Sequence, residues 1–208
     1  MDSRLKAIVG SGETIVDLGC GAGEILDDLH DEYQTRIGLD VSSRRLDAQG
    51  TSGPRNWEFR SADLNTRFPL QDSIADLVVA NQVVEHIVDP YHFSAEIYRI
   101  LRPQGRCVVT TPNIRYLRNI GRVLFSGYGP RTAGGNTLDG AWDDGHLHYF
   151  THRDLLELFE FSGFRSVSSS ALIDMSKETK FRRFLSRHSN SRFVREFLSG
   201  VIVLCAQK

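Results

Sequence analysis

Residues 16–24 read VDLGCGAGE, with Gly19, Gly21 and Gly23 on alternate positions and an acid, Asp17, two residues before the first. A short apolar run precedes the glycines and a helical pattern follows, so the turn falls at a strand-to-helix junction. Glycine there lets the chain bend tightly and bring bare backbone against a ligand. In a doubly wound sheet, ligands sit at that place, outside the carboxyl ends of the strands. The other reading is a turn that serves packing alone. A dinucleotide fingerprint is G-x-G-x-x-G and faces a pyrophosphate. Here the spacing is G-x-G-x-G, and Asp17 would repel a phosphate but can hold an ammonium or pair with a sulfonium. The Lys-Ser/Thr pair of a nucleoside triphosphatase loop is missing.

Two more acids follow candidate strands. Asp40, in GLDVS (38–42), can accept bonds from both hydroxyls of a ribose. Asp63, in ADL (62–64), can accept from an adenine amino group, or serve only as a turn or cap residue. Histidine titrates near neutrality and suits a general base. His86 follows the fourth candidate strand in VEH; it and Glu85 read equally as caps of the next turn. His146 and His148 alternate in GHLHYF, so on an extended segment both would face one pocket. No third metal ligand is evident beside them, which leaves substrate contact, bracing of the 126–145 loop, or ordinary loop-edge histidines. Cys20 reads as a small side chain in the turn rather than a nucleophile, and Cys107 and Cys205 as buried filler in strands.

The elements that must position these groups alternate. Short β-branched runs at 14–18, 36–40, 57–61, 75–81, 106–111, 164–170 and 201–206 predict strands. Helical patterns at 24–30, 42–49, 90–101 and 151–162 predict helices between them, the mark of a parallel α/β sheet with crossover helices. Pro90 suits a first helical turn, and Thr151 with Asp154 makes a short-armed capping box. Two segments break the alternation. Residues 113–150 carry Arg115, Arg118 and Arg122, then a glycine-rich loop, and read as an insertion or lid. Residues 174–199 read as a basic amphipathic insertion before the last strand, and from Lys177 to Arg195 it carries Lys177, Lys180, Arg182, Arg183, Arg187, Arg192 and Arg195 against Glu178.

The chain has 208 residues, 25 basic and 26 acidic, for a net charge of −1. That length predicts one domain over 1–208. The balanced charge exerts no global pull on nucleic acid, and the phenylalanines of the basic segment sit at core spacing rather than as stacking platforms. Three separated cysteines argue against a disulfide framework or a cysteine zinc site and fit a reducing compartment. No apolar run approaches the ~20 residues of a membrane span, and no secretory signal is evident at the start. The expectation is a cytoplasmic monomer or homodimer, with peripheral contact to an anionic membrane open through its basic segments.

The motifs VDLGCGAGE (16–24), GLDVS (38–42), ADL (62–64), ANQVVEHIVDP (80–90) and EIYRILRPQGRCVVTTPN (96–113) occur in one order. Together they resemble the class I S-adenosylmethionine-dependent methyltransferases, in the type 11 or 23 branch. The stretch GHLHYFTHRDLLELFEFSGF (145–164) is similar to the late part of ubiquinone-pathway O-methyltransferases, polysaccharide-cluster methyltransferases and the methionine biosynthesis protein MetW. The resemblance implies a Rossmann-like seven-stranded, mostly parallel sheet in the order 3-2-1-4-5-7-6, its last strand antiparallel, with helices on both faces. It implies S-adenosylmethionine as cofactor and S-adenosylhomocysteine as product. Asp17 and Gly19 to Gly21 would then hold the methionine portion, Asp40 the ribose, Asp63 and Leu64 the adenine. Asn81 and Gln82 would lie below the sulfur, and Cys20, Gly23 and Val41 complete the cofactor set. Some ubiquinone-branch relatives hold a divalent metal with Glu-x-x-Glu-His. Gln82 stands here for the first glutamate, removing one anionic oxygen, so no metal is expected.

The activity expected is methyl transfer, at oxygen, to a small molecule or a glycan or lipid precursor, with phosphorylated and lipid-linked acceptors included. His86, His146 and His148 are the candidate catalytic residues. Two other functions stay open. One is a catalytically silent binding or regulatory partner with the same fold, as the MetW similarity allows. The other is a nicotinamide-dependent oxidoreductase, disfavoured by the glycine spacing, Asp17 and the missing Lys/Tyr pattern.

Overall fold

A computed structural model describes residues 8–42, 56–127, 129–132, 142–172, 179, 187–188 and 191–208. The helix expected at 42–49 and most of the basic 174–199 segment lie outside the described residues, as does most of the 126–145 loop.

Seven strands form one sheet: β1 (Gly12–Leu18), β2 (Tyr33–Asp40), β3 (Glu58–Ser61), β4 (Ala75–Asn81), β5 (Leu101–Pro112), β6 (Arg165–Leu172) and β7 (Val201–Gln207). Their order is β3-β2-β1-β4-β5-β7-β6. Strands β1 to β5 pair in parallel, and β7 runs antiparallel to both β5 and β6. The fold expected from the family resemblance is the one observed.

Side chains alternate between two cores, as the period of two in a strand requires. Val16, Leu18, Val78, Ala80, Cys107, Val109, Ile202 and Leu204 face one core, while Ile15, Leu77, Val79, Val108 and Val203 face the other. Helices close both. α1 (Glu24–Asp28) sets Leu26 against the second core, where Leu29 and Trp57 join it. α2 (Pro90–Ile100) and α4 (His152–Phe161) bury Phe93, Ile97, Ile100, Leu155, Leu158 and Phe159 in the first. Pro90 opens its helix and Thr151 caps its own as expected, and Asp89 adds a cap not read from the sequence. The Asp89 carboxylate accepts from the Tyr91 and His92 amides ahead of Pro90, and Thr151 with Asp154 forms a reciprocal capping box.

Several boundaries differ from the sequence pattern, β1 and β2 starting early at Gly12 and Tyr33 among them. β5 begins at Leu101, not at 106, because Leu101 pairs with Ala75 ahead of an irregularity in the β4–β5 register. α1 stops at Asp28, two residues short of the expected end. Cys107 is buried, but Cys205 is partly exposed on β7, so only the first is buried filler. A fourth helix, α3 (Leu117–Phe125), follows β5. No helix among the described residues is long and apolar enough to cross a membrane.

Candidate functional site

The carboxyl ends of β1, β2 and β4 meet at one edge of the sheet, and the turns that leave them enclose a cleft of about 500 Å³. Of the residues singled out from the sequence, Gly19, Asp40, Val41, Asp63, Leu64, Gln82 and His86 line it. Ser42, Ala62, Asn65, Val83 and Ile87 line it too and carried no sequence signal of their own. Asp17, Cys20, Gly21, Gly23, Asn81, His146 and His148 do not contribute to this lining.

The turn after β1 is held by backbone. The Gly19 and Cys20 amides both donate to the Leu39 carbonyl, at 2.7 and 3.0 Å, and Gly23 donates to the Cys20 carbonyl at 2.8 Å. Gly19 and Gly23 have φ of +69° and +85°, and a Cβ there would come within 2.6 Å of Val83 and 2.0 Å of Trp57. These positions need glycine both for conformation and for space. Cys20 is buried, and the Cβ that Gly38 lacks would press on its sulfur. That contact makes it a packing group.

Asp40 is gripped at the mouth of the cleft. The Gly21 amide donates to its Oδ2 at 2.9 Å and the Ser42 amide to its Oδ1 at 3.2 Å. Each carboxylate oxygen keeps a further acceptor site, so the acid is oriented and still open to two hydroxyls. Behind it lies Asp17, 2% exposed, whose Oδ1 has no hydrogen-bond partner. Burial, reinforced by the Asp40 charge, pushes its carboxyl up to about 8. A buried acid in that state is stabilised by any cation that comes beside it.

Asp63 is exposed, and its Oδ1 accepts from the backbone amide and side-chain amide of Asn65, both at 2.9 Å. Those bonds hold its carboxyl below the usual carboxylate range. It therefore serves as a turn residue and lines the cleft at once. Val41 stands exposed on the rim and Leu64 is buried.

At the end of β4 the chain turns sharply. Gln82 has φ +58°, a left-handed conformation in a non-glycine residue, of the kind that concentrates at functional sites. Thr110 of β5 pins it: the Gln82 amide donates to the Thr110 carbonyl at 3.1 Å and its side-chain amide to Thr110 Oγ1 at 3.1 Å. Thr110 Oγ1 in turn donates to Asn81 Oδ1 at 2.6 Å. The next turn, 84–86, buries Glu85 and leaves His86 facing the cleft. Thr111 Oγ1 donates to Glu85 Oε2 at 2.9 Å, while Oε1 is buried without a partner. Burial pushes the Glu85 carboxyl up to about 7.

Across this turn lies the segment that follows the long loop. Asp143, Asp144 and Gly145 all have positive φ, a left-handed bend that leads into 146–148. The bend is anchored by Asp143, whose Oδ2 accepts from the Thr132 amide at 3.0 Å and the Tyr149 hydroxyl at 3.1 Å. It sets the His146 ring edge-on to His86, with centroids 4.7 Å apart. His146 Nδ1 shares a 2.6 Å hydrogen bond with Thr132 Oγ1. Burial and the His86 charge hold its imidazole below the usual range, against the pull of Asp143 and Asp144. His148 takes another position: its amide donates to the Glu85 carbonyl at 3.1 Å, its ring lies beside Phe150, and its Nε2 is buried with no partner. The two loop histidines thus reach Glu85 and His86 by different routes, and the ring of His146 is the one that meets His86.

Ligand atoms of Glu85, His86 and His146 lie within 4.8 Å of one another. The turn after β4 supplies two of these groups and the loop one, His146, while His148 is not part of the cluster. Two imidazoles and a carboxylate are a donor set able to take a divalent transition metal.

An open sheet in this order, with a polar cleft at the carboxyl ends of its parallel strands, defines an α/β protein of the Rossmann-like class. Residues 16–109 match the family model for a methyltransferase domain. An S-adenosylmethionine-dependent methyltransferase of Mycolicibacterium smegmatis, so named, is 32% identical over 154 residues, covering 74% of this chain and 52% of that protein. The mitochondrial ubiquinone biosynthesis O-methyltransferase of Bos taurus is 30% identical over 122 residues, covering 56% of this chain and 33% of that protein. The chain thus spans about half the length of the first relative and a third of the second. Among solved structures, an S-adenosylmethionine-dependent methyltransferase from Mesorhizobium loti superposes with a TM-score of 0.65 at 19% identity, covering 99% of this chain and 96% of that one. Over residues 16–109 the chain is similar to a methyltransferase domain, and its fold is that of solved S-adenosylmethionine-dependent methyltransferases.

Proposed function

We propose that this chain, as a single domain, binds S-adenosylmethionine in the cleft and transfers its methyl group in line to an oxygen of a small molecule or of a glycan or lipid precursor. The observation that carries this reading is the pair of acids at the ends of β1 and β2. Asp40 presents two oriented oxygens at the mouth, and the buried, unpartnered oxygen of Asp17 lies behind it. A ligand with two neighbouring hydroxyls and a cationic tail satisfies both, whereas a diphosphate would be repelled by the Asp40 carboxylate and would disfavour ionisation of Asp17. Asp63 and Leu64 then flank the base, Gly19 to Gly21 the methionine portion, and Asn81 and Gln82 the floor beneath the sulfur. When bound, the cofactor supplies an activated methyl on a sulfonium.

The work left to the protein is alignment, which can lower a barrier by roughly 7–11 kcal/mol. His86, facing the cleft, is the base that takes the acceptor's proton, and His146 at its edge positions it. His148, with its free buried nitrogen, receives a polar group of the acceptor. Displacement at carbon needs no Lewis acid, so the reaction proceeds without a metal.

The test is thermal stabilisation of the purified chain by S-adenosylmethionine, S-adenosylhomocysteine and NAD in parallel. The first two should raise the melting temperature as RT ln(1 + [L]/Kd) requires, and NAD should not. Stabilisation by NAD alone would replace this reading with an oxidoreductase. Release of S-adenosylhomocysteine across an acceptor panel would then separate turnover from a silent binding role.

A further inference from the structure

Helix α3 carries its apolar side on the outside. Leu117, Ile120, Gly121 and Leu124 follow the i, i+3, i+4, i+7 spacing of one helix face. In a helix packed on a core that stripe is the buried one, as in α2, where Phe93, Ile97 and Ile100 are inaccessible. In α3 the buried position is Asn119, on the other side, 9% exposed, with its side-chain amide donating to the Asn113 carbonyl at 3.0 Å. Leu117, Leu124 and Phe125 are 46%, 66% and 86% exposed. A Cβ added to Gly121 would meet nothing within 4 Å. Leu117, Val123, Leu124 and Phe125 are left to water, and Ile120 stands half-buried, on a helix whose buried position is polar.

The charge around this face has one sign. Residues 113–132 contain Arg115, Arg118, Arg122 and Arg131 and no Asp or Glu, in a chain whose net charge is −1. Arg115 is tied to Glu196 at 3.2 Å and lies over the Phe197 ring, while Arg118 is exposed beside the apolar stripe. An exposed apolar face flanked by arginines matches a surface that is apolar within and anionic at its boundary. A second copy docking by the same face would press two arginine strips together. Nucleic acid would leave the apolar stripe in water.

We propose that α3 is an interfacial helix that seats this protein on an anionic phospholipid bilayer. Leu117, Leu124 and Phe125 enter the acyl boundary, and Arg118 meets the headgroups. α3 begins at Leu117, just after β5 ends at Pro112, and Thr111 of β5 is the residue that bonds Glu85. The bilayer would therefore lie near the His86 side of the cleft, where a lipid-linked acceptor is delivered. That last step rests on the methyl-transfer reading above; bilayer binding does not, so the two can fail separately.

The test is co-sedimentation of the full chain, without cofactor, with vesicles of phosphatidylcholine alone and of an equimolar phosphatidylcholine–phosphatidylglycerol mixture. Capture by the anionic vesicles, little by the neutral ones, and weakening with added salt are expected. Replacing Leu124 and Phe125 together by Ser should lower the partition constant at least about tenfold, and Arg118→Glu should lower it on anionic vesicles. The replaced side chains stand in water, so both variants should melt as the wild type does. Absence of capture by anionic vesicles, or equal capture of the wild type and the double-serine variant, overturns the proposal. So does a wild-type dimer in analytical ultracentrifugation that the double-serine variant dissolves, which would make a second copy the occupant.

Discussion

The two walls of the cleft are built in opposite ways. On the β1–β2 side, the groups that face a ligand sit on strand ends or in the turns that leave them, and backbone amides orient them. Asp40 is held by Gly21 and Ser42, and the glycine turn by the Leu39 carbonyl. On the β4–β5 side, the groups converge from far apart in the chain. Glu85 and His86 come from one turn, Thr110 and Thr111 from the next strand, and His146 from a bend braced by Thr132 and Asp143. The first wall is a local construction that any relative can copy as a motif. The second depends on how a long loop closes, and it is where members of one fold can differ in acceptor.

This contrast predicts that damage to the first wall removes binding and damage to the second removes turnover. Asp40→Ala should weaken S-adenosylmethionine at least about 100-fold in calorimetry, because two charge-assisted hydrogen bonds are lost and the Gly21 amide loses its acceptor. Near-normal affinity would dissolve the distinction between the walls. His86→Ala should lower kcat about 100-fold or more, the usual worth of a positioned base, with cofactor affinity changed by no more than a few-fold. A variant that loses the cofactor instead would place His86 on the binding wall.

A smaller effect separates the two walls by pH. Asp17 has its carboxyl pushed up to about 8 from an ordinary 3.8. Between those values the unfolded chain has already given up the proton that the folded protein keeps. Without ligand, this residue therefore costs stability progressively as pH rises from about 4 to about 8. Asp17→Asn should remove the Asp17 share of that slope, leaving the share of Glu85 below about pH 7, and gain at least about 1 kcal/mol relative to the wild type between pH 5 and pH 8 in thermal melts. An unchanged slope would mean that Asp17 is not the buried acid responsible. The smallest expected effect is none: dialysis against a chelator should leave methyl transfer intact. Loss of activity restored by one divalent metal would turn Glu85, His86 and His146 into ligands and sharpen the second wall into a metal centre.

Much of the first wall was legible before any coordinates. Gly19, Asp40 and Asp63 were marked from strand-end position and spacing, Val41 and Leu64 through the family resemblance, and all five line the cleft. Local rules suffice for the first three, because a strand followed by a glycine turn puts its next residues at the sheet edge whatever the rest of the chain does. Pro90 in a first turn and the capping box at Thr151 were legible for the same reason. Asp17 was marked as a ligand for a cation, but its burial and the orphaned oxygen that follows from it were not. Desolvation is a sum over every element packed around a group. The second wall was read only in pieces. His146 and His148 were marked together from their alternation, but their rings have different surroundings, His146 against His86 and Thr132 and His148 beside Phe150. Thr132 and Asp143 gave no signal at all, since a threonine and an aspartate in a loop are the commonest of turn residues.

From residue order alone come the alternation of strands and helices, the binding turn and the identity of the acids that close it. These depend on periodicity and on conformations that a few neighbouring residues dictate. The folded chain alone decides that His146 meets His86, that Glu85 is buried with one oxygen unpaired, and that α3 turns its leucines outward while α2 turns Phe93, Ile97 and Ile100 inward. An amphipathic pattern specifies that a helix has two faces. Which face meets the protein is chosen by what the neighbouring elements leave uncovered, and in α3 the choice went to Asn119 and its bond to Asn113.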